Sequence, residues 1–142
     1  MVSDGKSPFT ILLINDEPLV IKSIEGRFIR DGFKLVSCNT AAALKEIISD
    51  NRFDFLIITA KINDPNISAE DIIKNFRTLY PKRPVIMICK KNEIESDVVD
   101  DLLRYIVDDY IISPIKLDEL SMRVRFLLVK AQLYKKNTVP AI

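Results

Sequence analysis

Five short apolar runs, alternating with segments whose apolar residues recur at helical spacing, set the tightest limit on what this chain can fold into. They are FTILLI over 9–14, FKLVSC over 33–38, FDFLIIT over 53–59, VIMIC over 85–89 and YII over 110–112. Each is rich in Ile, Leu, Val or Phe and is bounded by polar turn residues, so each reads as a strand. The middle runs lack the in-and-out alternation of a half-exposed strand, which predicts burial on both faces. Strands and helices in alternation specify an α/β fold, because parallel neighbours need crossover connections and the crossover helices cover the sheet.

The helices carry their own punctuation. PLVIKSIEGRFIR, over 18–30, sets Ile21, Ile24 and Phe28 on one stripe, opens with a proline suited to a first turn and stops at Asp31 and Gly32. Thr40 can cap a second helix whose apolar side holds Ala42, Ala43, Leu44, Ile47 and Ile48. Ser68 can cap a third that carries Ile72, Ile73, Phe76 and Leu79 before Pro81. Helices over 93–105 and from 117 to about 135 complete the set. With 142 residues the expectation is one domain over 1–136 and a tail or linker stub over 137–142, without internal repeats.

Composition removes several function classes. Lys and Arg number 21 against 20 Asp and Glu, so a net charge of +1 supplies no global field to draw nucleic acid or an anionic membrane. No apolar run approaches the roughly 18 residues of a membrane span, and the opening MVSDGKSPFT lacks the basic and apolar regions of a signal peptide. A cytoplasmic protein without nucleic-acid or membrane partners is expected. Cys38 and Cys89 have neither the number nor the spacing of a disulfide framework or zinc site, and read as small buried thiols. Histidine is absent, which takes away the commonest general base and the imidazole metal ligands. The expectation is a protein that is not an enzyme.

In a doubly wound sheet, groups at the carboxyl ends of the strands converge on a crevice. That rule singles out Asn15 and Asp16 after the first strand, Thr59 ending the third, Cys89 ending the fourth and Ser113 after the fifth. The segments ILLINDEP, NTAAALKEIISDNRFDFLIIT, PVIMIC and DDYIISPI, taken in order and spacing, resemble the response-regulator receiver family from residue 11 to about 128. The resemblance implies a flavodoxin-like, five-stranded parallel sheet of order 2-1-3-4-5. It also implies site roles: Thr59 at the phosphoacceptor position, Asn15 and Asp16 in the acidic turn, and Cys89 and Tyr110 at the switch positions. Ser113 falls at the lysine position, followed by Pro114 with a cis bond between them.

The residues found there depart from that chemistry. Forming an acyl phosphate needs a carboxylate nucleophile, a cation held by oxygen ligands and positive charge on the phosphoryl group. Thr59 is not a carboxylate, Ser113 carries no charge, and Asn15 leaves Asp16 as the one acid placed in the crevice, where it could equally cap the first helix. Cofactor binding is expected to be absent, or limited to weak Mg²⁺ at Asp16. The thiol of Cys89 is a poor donor in place of a hydroxyl, and Tyr110, lacking a phosphoryl group to bias it, is expected to keep one rotamer. These departures point to a pseudo-receiver in a two-component pathway that works by phosphorylation-independent protein contact. The alternatives are a working receiver that uses a displaced acid, Asp54 or Asp64, and a flavodoxin-like cofactor binder, whose phosphate the acidic loop NDEPLV would repel. Glu93, Glu95, Asp97, Asp100 and Asp101 make the fourth helix acidic, while Arg123, Arg125, Lys130, Lys135 and Lys136 make the fifth basic. A homodimer through the fourth helix, fifth strand and fifth helix is the expected partnership.

Overall fold

The computed structural model describes residues 9–39, 41–50, 52–62, 66 and 68–131. Strands β1 (Thr10–Ile14), β2 (Lys34–Cys38), β3 (Phe55–Thr59), β4 (Val85–Cys89) and β5 (Asp109–Ile112) form one sheet. Their order is β2-β1-β3-β4-β5 and every pairing is parallel. Helices α1 (Pro18–Arg30), α2 (Ala41–Asp50), α3 (Ala69–Leu79), α4 (Asp97–Asp101) and α5 (Leu117–Lys130) connect and cover it. The alternation of runs implied the parallel α/β architecture, and this strand order is the flavodoxin-like one that the resemblance to receivers implied.

Alternation along each strand divides the apolar side chains between two cores. Leu12, Leu56, Ile58 and Met87 meet Leu44, Ile73 and Phe76 on the face covered by α2, α3 and α4. Ile11, Phe55, Ile57 and Ile86 meet Ile24, Phe28, Val124 and Leu128 under α1 and α5. Both faces of β3 and β4 are therefore dry, which accounts for their unbroken apolar runs. Phe28 and Phe76 are fully buried, one in each core, and truncating either to alanine should cost about 3–5 kcal/mol.

Local chemistry sets the helix ends. Pro18 is the first residue of α1 and Gly32 ends the connection to β2 at φ 94°, a left-handed turn that suits glycine. In α3 the Ser68 hydroxyl accepts the Asp71 N–H at 3.1 Å, the cap the sequence suggested. Asp16 does not occupy the capping position of α1. Glu17 does, without a side-chain cap, and the side chain working in that turn is Asn15. Thr40, Asp64, Lys135, Lys136 and the stretch 137–142 lie outside the described residues.

The segment expected as one helix over 93–105 is instead three pieces. Lys90 N–H donates to Glu93 Oε1 at 2.7 Å while Glu93 N–H returns to the Lys90 carbonyl at 2.9 Å, closing a 3₁₀ turn at Lys91–Glu93. The short α4 follows, and Leu102–Ile106 then widens into a π-helical turn sealed by Val107 N–H on the Leu102 carbonyl. Arg77 of α3 holds the end of that turn, donating to the Ile106 carbonyl at 2.9 Å and to Asp108 at 3.0 Å. Apolar spacing alone could not reveal these interruptions, because Val99 and Leu102 are buried in the same core whichever turn joins them.

The fifth helix also departs from the charge reading. Arg125, counted above among the surface cations, is only 4% exposed. Its Nη2 donates at 3.1 Å to Asp31 Oδ2, which also accepts from Arg27 Nε at 2.8 Å and Ser121 Oγ at 2.9 Å. Arg27 reaches on to Asp118, so the clasp ties the end of α1 to the first three turns of α5. Arg123 is likewise engaged inside its own domain, donating to both carboxylate oxygens of Asp109 at 2.7 and 2.8 Å. The basic surface of α5 thus loses Arg125 outright, and most of Arg123.

Burial pushes the Asp31 carboxyl up, but hydrogen bonds from Arg27 and Ser121, together with the charges of Arg27 and Arg125, outweigh it and hold the group below its ordinary value. A depressed folded-state pKa gives stability that is present above the unfolded value and lost as pH falls through the folded one. Asp31→Ala should lower unfolding stability by about 3–5 kcal/mol because it strands Arg125, whereas Arg125→Met should be far milder. Urea titrations of both variants check this, and equal losses would contradict it. In Asp31→Asn the acid-side decline below about pH 4 should be shallower than in the parent chain.

Candidate functional site

The carboxyl ends of β1, β3, β4 and the segment after β5 meet along one edge of the sheet, as the topology requires. Asn15 follows β1 and is buried; its N–H donates to the Cys38 carbonyl at 3.3 Å and its Oδ1 accepts the Glu17 N–H at 2.8 Å. The amide oxygen is thereby spent on holding the turn into α1. Asp16, beside it, is half-buried. Thr59 is the last residue of β3, half-buried and in register with Ile88. Ser113 N–H donates to the Cys89 carbonyl at 2.9 Å, which docks the β5 exit against the end of β4, and the Ser113–Pro114 bond is cis. Tyr110 stands apart from this edge, within β5 opposite Met87 and 39% exposed.

Cys89 is 1% exposed, and its thiol donates to the Ile111 carbonyl at 3.8 Å. Burial, with a smaller contribution from the Glu93 carboxylate, pushes its pKa up to about 11, so it stays a thiol at neutral pH. It is a packing residue with a weak donor, inert as a nucleophile in the folded protein. Cys38 is buried as well.

Two neighbours join this edge that the sequence reading did not assign. Lys90, directly after β4, brings its Nζ to 3.7 Å from Glu17 Oε1, an ion pair that spans the mouth of the crevice. Both partners are well exposed, which makes the pair weak in energy. Beside them a groove of about 570 Å³ runs between α1 and the loop after β5, lined by Leu19, Val20, Lys90, Ser113, Pro114 and Ile115. Leu19 is 81% exposed at its rim. The sequence signal for Lys90 was its place at the end of an apolar run; nothing in the pattern marked Leu19 as an outward residue.

Asp54, the displaced acid considered above, lies at the opposite edge. Its Oδ2 accepts the Thr10 N–H at 3.0 Å and its Oδ1 lies 3.6 Å from Arg83, where it secures the amino end of β1. Among the described residues no group of three or more His, Cys, Asp or Glu side chains could hold a metal ion. Within the same residues no helix is long and apolar enough to cross a membrane.

Comparison with known proteins agrees with this architecture. The profile of the response regulator receiver domain matches residues 11–125. The chain belongs to that family, and carries a receiver domain of the two-component signalling type. It is 24% identical over 126 residues to the probable transcriptional regulatory protein TcrX of Mycobacterium tuberculosis, covering 89% of this chain and 52% of that protein. It is 27% identical over 131 residues to the TorCAD operon transcriptional regulatory protein TorR of Escherichia coli, covering 91% and 54%. The chain thus spans about half the length of the curated relatives it matches. Among solved structures, a response regulator receiver domain protein from Clostridium thermocellum superposes with a TM-score of 0.74 at 20% identity, over 88% of this chain and 98% of that one.

Buried as they are, Cys38 and Cys89 should not react in the folded protein. With iodoacetamide at neutral pH the native protein should show no mass increase, while in denaturant both Cys38 and Cys89 should be alkylated. Native labelling at Cys89 would mean that the β4–β5 exit opens far more readily than its packing implies.

Proposed function

We propose that this receiver domain transmits its signal through protein–protein contact, without phosphorylation of the crevice. The observation that carries the reading is Thr59 at the end of β3, an uncharged side chain where a carboxylate nucleophile would have to stand. Threonine ionises too poorly to attack a phosphoryl donor unaided. Ser113 brings no positive charge to the opposite wall. The donor set also fits Mg²⁺ poorly among the described residues: Asn15 Oδ1 is engaged by the Glu17 N–H, and Glu17 leans toward Lys90.

Under this reading the module is not an enzyme, needs no cofactor and works in the cytoplasm. The family membership supports a place in signal transduction and a partner that is a protein. The displaced-acid alternative is weakened by Asp54, which is engaged at the far edge of the sheet.

Intact-mass measurement after incubation with Mg²⁺ and acetyl phosphate tests the proposal. The parent chain should gain no phosphoryl adduct. Thr59→Asp should gain little, and Thr59→Asp combined with Ser113→Lys should gain more than the sum of the single variants, because two groups acting on one phosphoryl group are not additive. An adduct on the unmutated chain, mapped to any acid, would overturn the reading.

A further inference from the structure

At the amino end of the sheet, away from the crevice, a pocket of about 260 Å³ opens where the end of α3, the turn into β4 and the end of α5 meet. Its polar rim is cationic, formed by Arg77, Lys82, Arg83 and Lys130, while Pro84 and Leu127 beneath them are buried. In a chain of net charge +1, cations gathered from three segments over a dry floor focus a positive field that needs a counter-charge. The domain supplies little of it. Among the described residues Asp108 is the one acid lining the pocket, and its Oδ2 already accepts the Val85 N–H at 2.7 Å and Arg77 Nη2 at 3.0 Å. Asp54 lies 3.6 Å from Arg83 but is held by the Thr10 N–H. Lys82 and Lys130 are exposed and have no ion-pair partner among the described residues.

Two details set this pocket apart from an ordinary solvated basic face. The turn of Tyr80, Pro81, Lys82 and Arg83 is closed by the Arg83 N–H on the Tyr80 carbonyl at 3.3 Å, with φ 70° at Lys82. Proline second and a positive φ third is the pattern of a type II turn, whose third position glycine fills without strain. A lysine there keeps an uncommon left-handed backbone and carries its cation to the pocket rim. Arg77, in turn, is engaged through Nη2 by the Ile106 carbonyl and Asp108, and its Nε is buried with no hydrogen-bond partner. A buried donor without an acceptor is costly to keep.

We propose that this pocket binds a pyrophosphate group, either as inorganic diphosphate or as the phosphate end of a nucleotide. A monophosphate brings a charge of about two and one set of oxygens. A diphosphate brings more of both, and so can engage the cations of the turn and of α5 together. Arg77 and Asp108 also line an adjoining groove of about 330 Å³ that holds Ile106 and the exposed ring of Tyr105, against which a base could stack. The pocket lies at the opposite end of the strands from Thr59, so the inference stands whether or not the crevice accepts a phosphoryl group.

Isothermal titration calorimetry with sodium pyrophosphate, in EDTA so that no metal masks the anion, should show submillimolar binding that weakens as NaCl is raised. Lys82→Gly combined with Lys130→Ala should weaken it by about tenfold or more. Lys22→Ala, which removes an exposed lysine of α1, should leave it unchanged. Glycine suits the left-handed turn, so Lys82→Gly alone should melt no lower than the parent and still bind more weakly, which separates lost binding from a damaged fold. In amide NMR spectra pyrophosphate should shift Lys82, Arg83 and Ala131 and leave Thr59 and Lys90 in place. ATP under the same conditions identifies the source of the anion: tighter binding that is lost in Tyr105→Ala assigns a nucleotide, and binding no tighter than that of pyrophosphate assigns an inorganic diphosphate. No binding at millimolar pyrophosphate, binding no tighter than that of sulfate, indifference to the double variant, or shifts centred on the crevice would each overturn the proposal.

Discussion

Parallel pairing of β1, β3 and β4 imposes a requirement that the rest of the molecule exists to meet. A strand with neighbours on both sides in a parallel sheet has no face to spare for water, because each crossover lays a helix on one side or the other. Leu12, Leu56, Ile58 and Met87 therefore need α2, α3 and α4, and Ile11, Phe55, Ile57 and Ile86 need α1 and α5. Removing any covering helix would expose part of the core on its face. The crevice is a by-product of the same geometry: strands that all run one way deliver their last residues to one edge, whatever chemistry those residues carry.

That separation between scaffold and chemistry means that the fold forms whichever residues stand at the strand ends. Thr59, Ser113 and Asn15 contribute little to either core, so their identities can drift without disturbing the packing. Asn15 even takes on a local structural duty, using its amide oxygen to hold the turn that starts α1. Cys89 has gone furthest toward the interior, its thiol turned to the Ile111 carbonyl and closed off from solvent. Asn15 and Cys89 are thus packed into the protein at their strand ends, while Asp16, Thr59 and Ser113 stay half-buried along the same edge.

How much of this was legible beforehand follows from which forces leave a trace in one dimension. Strand and helix order was legible because burial on two faces writes an unbroken apolar run, as in VIMIC, and burial on one writes a stripe, as with Ile24 and Phe28. The site positions were legible because topology sends strand ends to one edge. The broken fourth helix was not, since a 3₁₀ turn closed by Glu93 on Lys90 and a π turn closed by Val107 on Leu102 keep the same apolar residues inside. Arg125 was misread for a related reason. A cation on a helix looks solvent-facing unless its acid is known, and Asp31 lies 94 residues away in the chain.

The clasp between Asp31 and Arg125 has a mechanical consequence. Helices joined by aliphatic contact alone can roll or slide by a fraction of a turn for little energy, since one methyl group replaces another. A buried guanidinium has no such substitute, so α5 is keyed to α1 at one azimuth, much as a spline fixes a shaft in its hub. Any displacement of the end of α1 would then be passed to α5 as rotation with little lost motion, and a protein segment attached beyond Lys130 would receive a definite angular instruction.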